Sequence, residues 1–328
     1  MATVISNNVL VNGLRTEFAD TYEAIRNRQA DSRLGQIMDL SIGATNRNHD
    51  FAYFESSPHI SYWERGETIP TDAMSSVQFN VPIYEWARRV PWSKHDRKDD
   101  QTDSLMTMVR QCASSAALLP ERMLFDLLTG SASTMPAVPL APDGVAMFNA
   151  TDGAGGARFG ESGGNIVAGD GVTTTAQIQT NFYESIVRWK SFQDGKGQPL
   201  LGDDVLEQGF LIIHPVEITQ KMEEAFEQTR QVGTSGSTPS NVVQEANRTV
   251  ELWGTNRLTD VDDWYIFLKG APKKPTFFLD REGVQEFSSL EGDNNSDLTR
   301  STGEEYIQWE TRAGSGIALP FGAIQITN

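Results

Sequence analysis

Few residues in this chain have the type and spacing that catalysis requires. Its histidines are His49, His59, His95 and His214. None lies in an H-E-x-x-H pair or stands with cysteine at zinc-ligand spacing, and His214 closes an apolar run just before Pro215, where a hydrogen-bonded structural imidazole is expected. The single cysteine, Cys112, falls on the apolar face of a helical pattern, which makes it a small buried hydrophobe with a suppressed thiolate. Neither a G-x-S-x-G motif nor a catalytic cysteine context is read, so no nucleophile is assigned. The glycines between 153 and 171 match neither G-x-G-x-x-G nor G-x-x-x-x-G-K-[ST], and Gly195-Lys196-Gly197-Gln198 lacks the spacing and hydroxyl of a phosphate loop. The acidic pairs Asp99/Asp100, Asp203/Asp204, Glu223/Glu224 and Asp262/Asp263 put adjacent carboxylates on different sides of a strand or helix, so they read as solvated charge with at most weak cation affinity. The sequence therefore assigns no catalytic residue, no metal ligand and no cofactor.

The elements around these residues suggest self-association instead. In Ser76–Trp86, Val77, Phe79, Val81 and Ile83 alternate with Gln78, Asn80, Pro82 and Tyr84, the period of a half-buried strand whose proline favours an edge. His59–Trp63 has a similar character, and Glu64 to Pro70 supplies a polar turn, so the simplest assembly is one long hairpin. Arms of about 15 residues rising ~3.3 Å each reach up to ~50 Å, well beyond the ~20 Å radius of gyration of a compact chain of this size. An isolated two-stranded ribbon is marginal in water, so a projecting one needs a surface, and a second copy is the obvious candidate. The only basic concentration, Ala87 to Lys98, sits at the hairpin's root with Trp86 and Trp92; Asp96, Asp99 and Asp100 dilute it, so intersubunit salt bridging is at least as good a reading as a nucleic-acid footprint.

Before the hairpin, Leu14, Phe18, Tyr22 and Ile25 recur at helical steps in an arm without a core of its own, expected to dock on this chain's body or on a neighbour. After it, Leu105, Val109, Cys112, Ala116, Leu119, Met123 and Leu127 define an apolar helix face over 102–129, with Thr102 or Asp103 as cap, a kink or restart at Pro120 and a stop at Gly130. Residues 130–174, rich in glycine, read as a long loop or a loosely structured insertion. A helix follows with Ile178, Phe182, Ile186 and Trp189 inward. Then come a buried strand, Gly209–His214, an acidic helix with Ile218, Met222 and Phe226 inward, and a Gly/Ser/Thr loop at 233–241. Further strands are expected at Thr249–Trp253, Trp264–Leu268, Thr276–Asp280, Tyr306–Glu310 and from Ile317 to Ile326. Helices among many strands without regular βαβ alternation argue for an α+β fold.

The 328 residues are 38% apolar and 9% aromatic, enough to bury one large or two ordinary cores. One cysteine excludes a disulfide scaffold and makes a reducing compartment the default. No run of about 20 apolar residues and no basic-then-apolar leader is present, so neither a membrane span nor export is expected. The formal charge is −17, of which residues 200–328 carry −11, which disfavours broad attraction to phosphate backbones.

An arm, a long hairpin, a long helix and an acidic strand-rich region, in that order, resemble the Hong Kong 97-type fold of tailed-phage major capsid proteins. Within that group the chain is similar to the Mu-like phage major head subunit (gpT) family. The resemblance rests on Arg33–Leu40 through Glu64–Pro70, Leu118–Gly130, Met147–Gly153, Phe192–Leu201 with Gly209–Phe226, Trp264–Phe278 and Tyr306–Gly316. It implies an N-terminal arm at 1–45, an E-loop hairpin at 46–97, and a P-domain at 98–200 containing the spine helix and the insertion. Residues 201–328 would be mainly the A-domain, with strands returning to the P-domain. It further implies a non-enzymatic protein whose copies form hexamers and pentamers closing into an icosahedral shell around double-stranded DNA, held without sequence-specific contacts. A scaffolding protein, a portal and a decoration or cement protein would be its partners, and it would reside in the virion after assembly in the host cytoplasm. On this reading Tyr62, Trp63, Glu64, Arg65, Glu67, Arg88, Arg89, Lys94 and Arg97 make intersubunit contacts, and Leu14, Phe18 and Tyr22 dock the arm. Two other classes are weighed: a tail-tube or adhesin protein, which would not need the 102–129 helix, and a cytoplasmic hydrolase, which would need a catalytic set not found here.

Overall fold

The computed structural model describes residues 7–44, 46, 48–54, 76–93, 104–227, 248–271, 273–288 and 304–328. The chain opens with α1 (Asn7–Ala30) and α2 (Arg33–Ile37), then β1 (Met38–Gly43), β2 (Asn48–Phe54), β3 (Ser76–Pro82) and β4 (Tyr84–Ser93). Helices α3 (Ser104–Ala117) and α4 (Leu119–Thr129) lead to β5 (Ile166–Ala168), α5 (Thr175–Ser191), α6 (Asp203–Glu207), β6 (Phe210–Pro215) and α7 (Thr219–Phe226). Strands β7 (Val250–Thr255), β8 (Trp264–Leu268), β9 (Thr276–Ser288), β10 (Glu304–Ile317) and β11 (Ala323–Thr327) complete it. Among the described residues these form a four-stranded sheet β1-β9-β10-β4, a five-stranded sheet β5-β11-β8-β6-β7 and a two-stranded sheet β2-β3. Parallel pairs (β1/β9, β6/β7, β11/β5) mix with antiparallel ones.

The five-stranded sheet is built on apolar runs without alternation. In β6, Phe210 and Ile212 face one core while Leu211 and Ile213 face another; in β8, Trp264, Ile266 and Leu268 oppose Tyr265 and Phe267. A strand covered on both faces has no polar side, and these two are buried throughout. Helix α4 covers one face and α5 with α7 the other. The inward stripe of α5, Ile178, Phe182, Ile186 and Trp189, is the expected one. Its start is fixed by a capping box in which Thr174 and Gln177 satisfy each other's backbone donors. This core draws residues from both sides of residue 200, because α5 packs on β6 and β8.

The long helical pattern breaks at Leu118, with Pro120 in the first turn of α4 and Gly130 closing it in the left-handed conformation at φ 64°. The caps expected at Thr102 or Asp103 lie outside the described residues. In α3 the buried residues are Leu105, Val109, Ala113 and Ala117. The expected stripe is thus shifted by one position at its end, where Cys112 and Ala116 border the core while Ala113 enters it and Ala117 is buried.

Residues 130–174 are not a loose insertion. Arg158, 1% exposed, grips both Asp143 oxygens (Nε to Oδ2 2.6 Å, Nη2 to Oδ1 3.0 Å), and its Nη1 donates to Met147 O and Asn165 Oδ1. Fully buried Asn165 donates in turn to Met147 O, Pro320 O and Ala323 O, tying the segment to the approach to β11. Asp126 similarly accepts from the Ser133 hydroxyl and the Thr134 and Met135 amides. A glycine-rich segment can close tightly around such polar hubs because its backbone, not its side chains, does the packing.

Candidate functional site

Among the described residues, the candidate groups His214, Cys112 and Asp263 sit in structural surroundings. His214 is 1% exposed, its Nδ1 donating to Pro215 O, and burial holds the imidazole below its ordinary 6.5 against the pull of that bond and of Glu223. Burial pushes the Cys112 thiol up despite nearby Arg88, the reverse of nucleophile activation. Against the expectation that no such motif is present, Gly160 to Gly164 reads G-x-S-x-G. Its Ser162 is exposed in a turn between a 3-10 turn (Arg158–Gly160) and β5, not on the strand-to-helix elbow that a nucleophile needs. Asp260, Asp262 and Asp263 bring their oxygens within 4.8 Å of one another. Asp263, however, accepts from the Asn328 amide at 2.9 Å and from Gln325 at 3.1 Å, so it anchors the chain's last residues. His59 and His95 lie outside the described residues.

The surfaces suited to association start at the base of the hairpin. Strand β3 pairs antiparallel with β2, Phe51 opposite Phe79; His59–Trp63, expected as its partner, lies outside the described residues. Phe51 sits 5.4 Å from Phe79 and 4.6 Å from Phe277 of β9, so the base rests on the four-stranded sheet over Val81, Ile83 and Leu279. Two glycines of β10 make this contact close. A Cβ on Gly314 would stand 2.6 Å from Pro82 O, and one on Gly316 2.5 Å from the Phe277 ring. Small residues inside a strand pattern are the sequence signal for such an approach.

Of the proposed contact residues, Tyr62, Trp63, Glu64, Arg65, Glu67, Lys94 and Arg97 lie outside the described residues. Arg88 and Arg89 are neighbours on exposed positions of β4, an outer strand of its sheet. Arg89 is engaged within the chain, donating to Gln308 Oε1 from Nε (2.9 Å) and Nη2 (2.6 Å) with its guanidinium over the Tyr306 ring. Arg88 makes no ion pair among the described residues and lines a groove with Trp86, Met108, Cys112, Arg122 and Trp309. Arg122, on α4, was not singled out in the sequence because it stands alone there. Leu14 and Phe18 are buried and Tyr22 partly buried against α3, β4 and β10 of the same chain, Phe18 stacking on Trp309 at 4.6 Å. Among the described residues no helix is long and apolar enough to cross a membrane.

Solved capsids share this architecture. The chain superimposes on a subunit in the capsid of an empty GTA particle with a TM-score of 0.57 at 11% identity, covering 89% of this chain and 88% of that one. For the capsid of cyanophage P-SCSP1u the values are 0.54, 12%, 88% and 86%, and for the capsid of Myoviridae phage XM1 0.52, 12%, 90% and 90%. At such identities the likeness is one of fold, the Hong Kong 97-type fold of capsid subunits. No curated protein matches the sequence. The family described as "Phage capsid protein" matches residues 77–324, and the chain belongs to it.

Proposed function

We propose that the chain is the major head protein of a tailed bacteriophage of the Mu-like type, assembling as hexamers and pentamers into an icosahedral shell around double-stranded DNA. The carrying observation is the family match over residues 77–324 on a chain whose β2-β3 sheet takes no third strand from the described residues. A ribbon of two strands gains stability by lying on another surface: its base uses the four-stranded sheet of its own chain, and a neighbouring subunit would supply one for the rest. The hairpin (the E-loop of this fold) is thus the principal intersubunit device, its tip residues Tyr62 to Glu67 reaching the next copy and Arg88 standing at its root. The net charge of −17 suits a wall that does not trap packaged DNA. No active site enters this reading. A scaffold, a portal and a decoration or cement protein are the partners it expects, with assembly in the host cytoplasm. Deleting Ser57 to Met74 tests it: the protomer should keep its circular dichroism and lose particle formation, whereas normal shells from the deletion would refute the hairpin's role.

A further inference from the structure

The four-stranded sheet carries an arginine in its inward row. On β4, Trp86, Arg88, Val90 and Trp92 alternate onto the face that packs against α3; Val90 and Trp92 are buried there, whereas Arg88 is exposed. In the register of the sheet Arg88 stands opposite Trp309 of β10, a residue of the same core. Burial pushes the Cys112 thiol of α3 up, and Arg88 stands close enough to pull against it.

A groove of about 450 Å³ opens between this row and the helices. Its helical wall is a stripe at steps of three and four, Met108, Cys112, Ser115, Leu119 and Arg122, and the small Ser115 and Ala116 leave space that a larger side chain would fill. The strand wall adds Trp86, whose Nε1 already donates to Ala313 O at 3.0 Å, so the indole offers the groove an apolar surface. Small-molecule sites have this size and this kind of lining, apolar with a few charged groups that fix orientation. The charged groups here are two guanidiniums, Arg88 from the sheet and Arg122 from α4, and neither is paired with a carboxylate among the described residues. Glu310 also borders the groove, but it belongs to the alternate row of β10, opposite Ala87, and accepts a hydrogen bond from Gln308. In a chain of formal charge −17, two arginines without a carboxylate at one apolar groove are complementary to an anion from outside.

Beyond the assembly reading, we infer that this groove binds a small, flat organic anion, an aromatic carboxylate or sulfonate, with its ring against Trp86 and Met108 and its anionic group held by Arg88 and Arg122. A guanidinium takes two oxygens of such a group in parallel hydrogen bonds, and apolar walls strengthen them by excluding water. A neutral aromatic of the same size keeps the ring contact and loses the charged one.

Isothermal titration of the unassembled chain with naphthalene-2-carboxylate tests the site. A single saturable site is expected, with the matching neutral alcohol, 2-naphthylmethanol, bound about tenfold more weakly or worse, and the double substitution Arg88→Gln, Arg122→Gln should remove that preference. Occupancy should also slow the reaction of Cys112, the chain's single cysteine and part of the groove wall, with N-ethylmaleimide. Absence of saturable binding, equal affinity for acid and alcohol, a preference that survives the double substitution, or an unprotected Cys112 would overturn the inference. Should the double substitution fail to fold, Ser115→Phe, at an exposed position on the helical wall, fills the groove with both guanidiniums left in place. It should abolish binding, and unchanged binding would contradict the site.

Discussion

Replacing Arg158 by methionine removes the hub of the glycine-rich segment while keeping most of the side chain's volume. The guanidinium makes four hydrogen bonds, two of them to one carboxylate, at 1% side-chain exposure. Breaking a buried ion pair by removing one partner costs about 3–5 kcal/mol. Here the remaining Asp143 side chain is 22% exposed and regains some water, whereas Asn165 Oδ1 keeps only the Asn149 amide, so about 3 kcal/mol is expected. Urea unfolding of the unassembled subunit at neutral pH should show this as a lower midpoint at an unchanged slope. A double-mutant cycle with Asp143→Asn should return a coupling above about 1.5 kcal/mol. A loss below about 1 kcal/mol, or additive single changes, would refute the view that this segment is held by its polar core.

Other changes probe different parts of the fold. Gly314→Val should cost about 1–3 kcal/mol, because its Cβ meets the Pro82 carbonyl, which cannot rotate aside; it should impair particle formation, scored by sedimentation, more than it lowers the unfolding midpoint. Because the folded-state pKa of His214 lies below its ordinary 6.5, its contribution to stability is fully present above pH 6.5 and is lost as pH falls through the folded value; His214→Gln should flatten the stability profile over that window. Burial pushes the Glu251 carboxyl up, but its bonds with Lys269, Gln36 and Arg33 prevail and hold it below 4.5. Glu251→Gln should therefore cost about 1 kcal/mol at neutral pH and progressively less as pH falls below 4.5 through the folded value, read from denaturation midpoints.

The helices and buried strands were legible because burial imposes a period. The stripe of α5 recurs at 3.6-residue spacing, and Phe210–His214 and Trp264–Leu268 have no polar face. Pairing partners were less legible, since strand β1 lies parallel to β9 across more than 200 residues of sequence, and such a contact leaves no local trace. The hairpin's second strand was found from alternation, but its described partner, Asn48–Phe54, has too mixed a pattern to stand out beside His59–Trp63. Polar hubs were invisible for another reason: Arg158 and Asn165 look like ordinary loop residues until Asp143, Met147, Pro320 and Ala323 are brought around them. Of the candidate contact set, Arg88 and the arm residues could be placed, and Arg89 proved to be engaged with Gln308 and Tyr306 of its own chain.

Electron microscopy of the purified chain, with its scaffold supplied if needed, tests the central claim most directly. Closed regular shells are predicted, and a reconstruction should show each hairpin lying on a neighbouring subunit. A monomer that stays monodisperse under all assembly conditions, or tubes and fibres in place of shells, would contradict it.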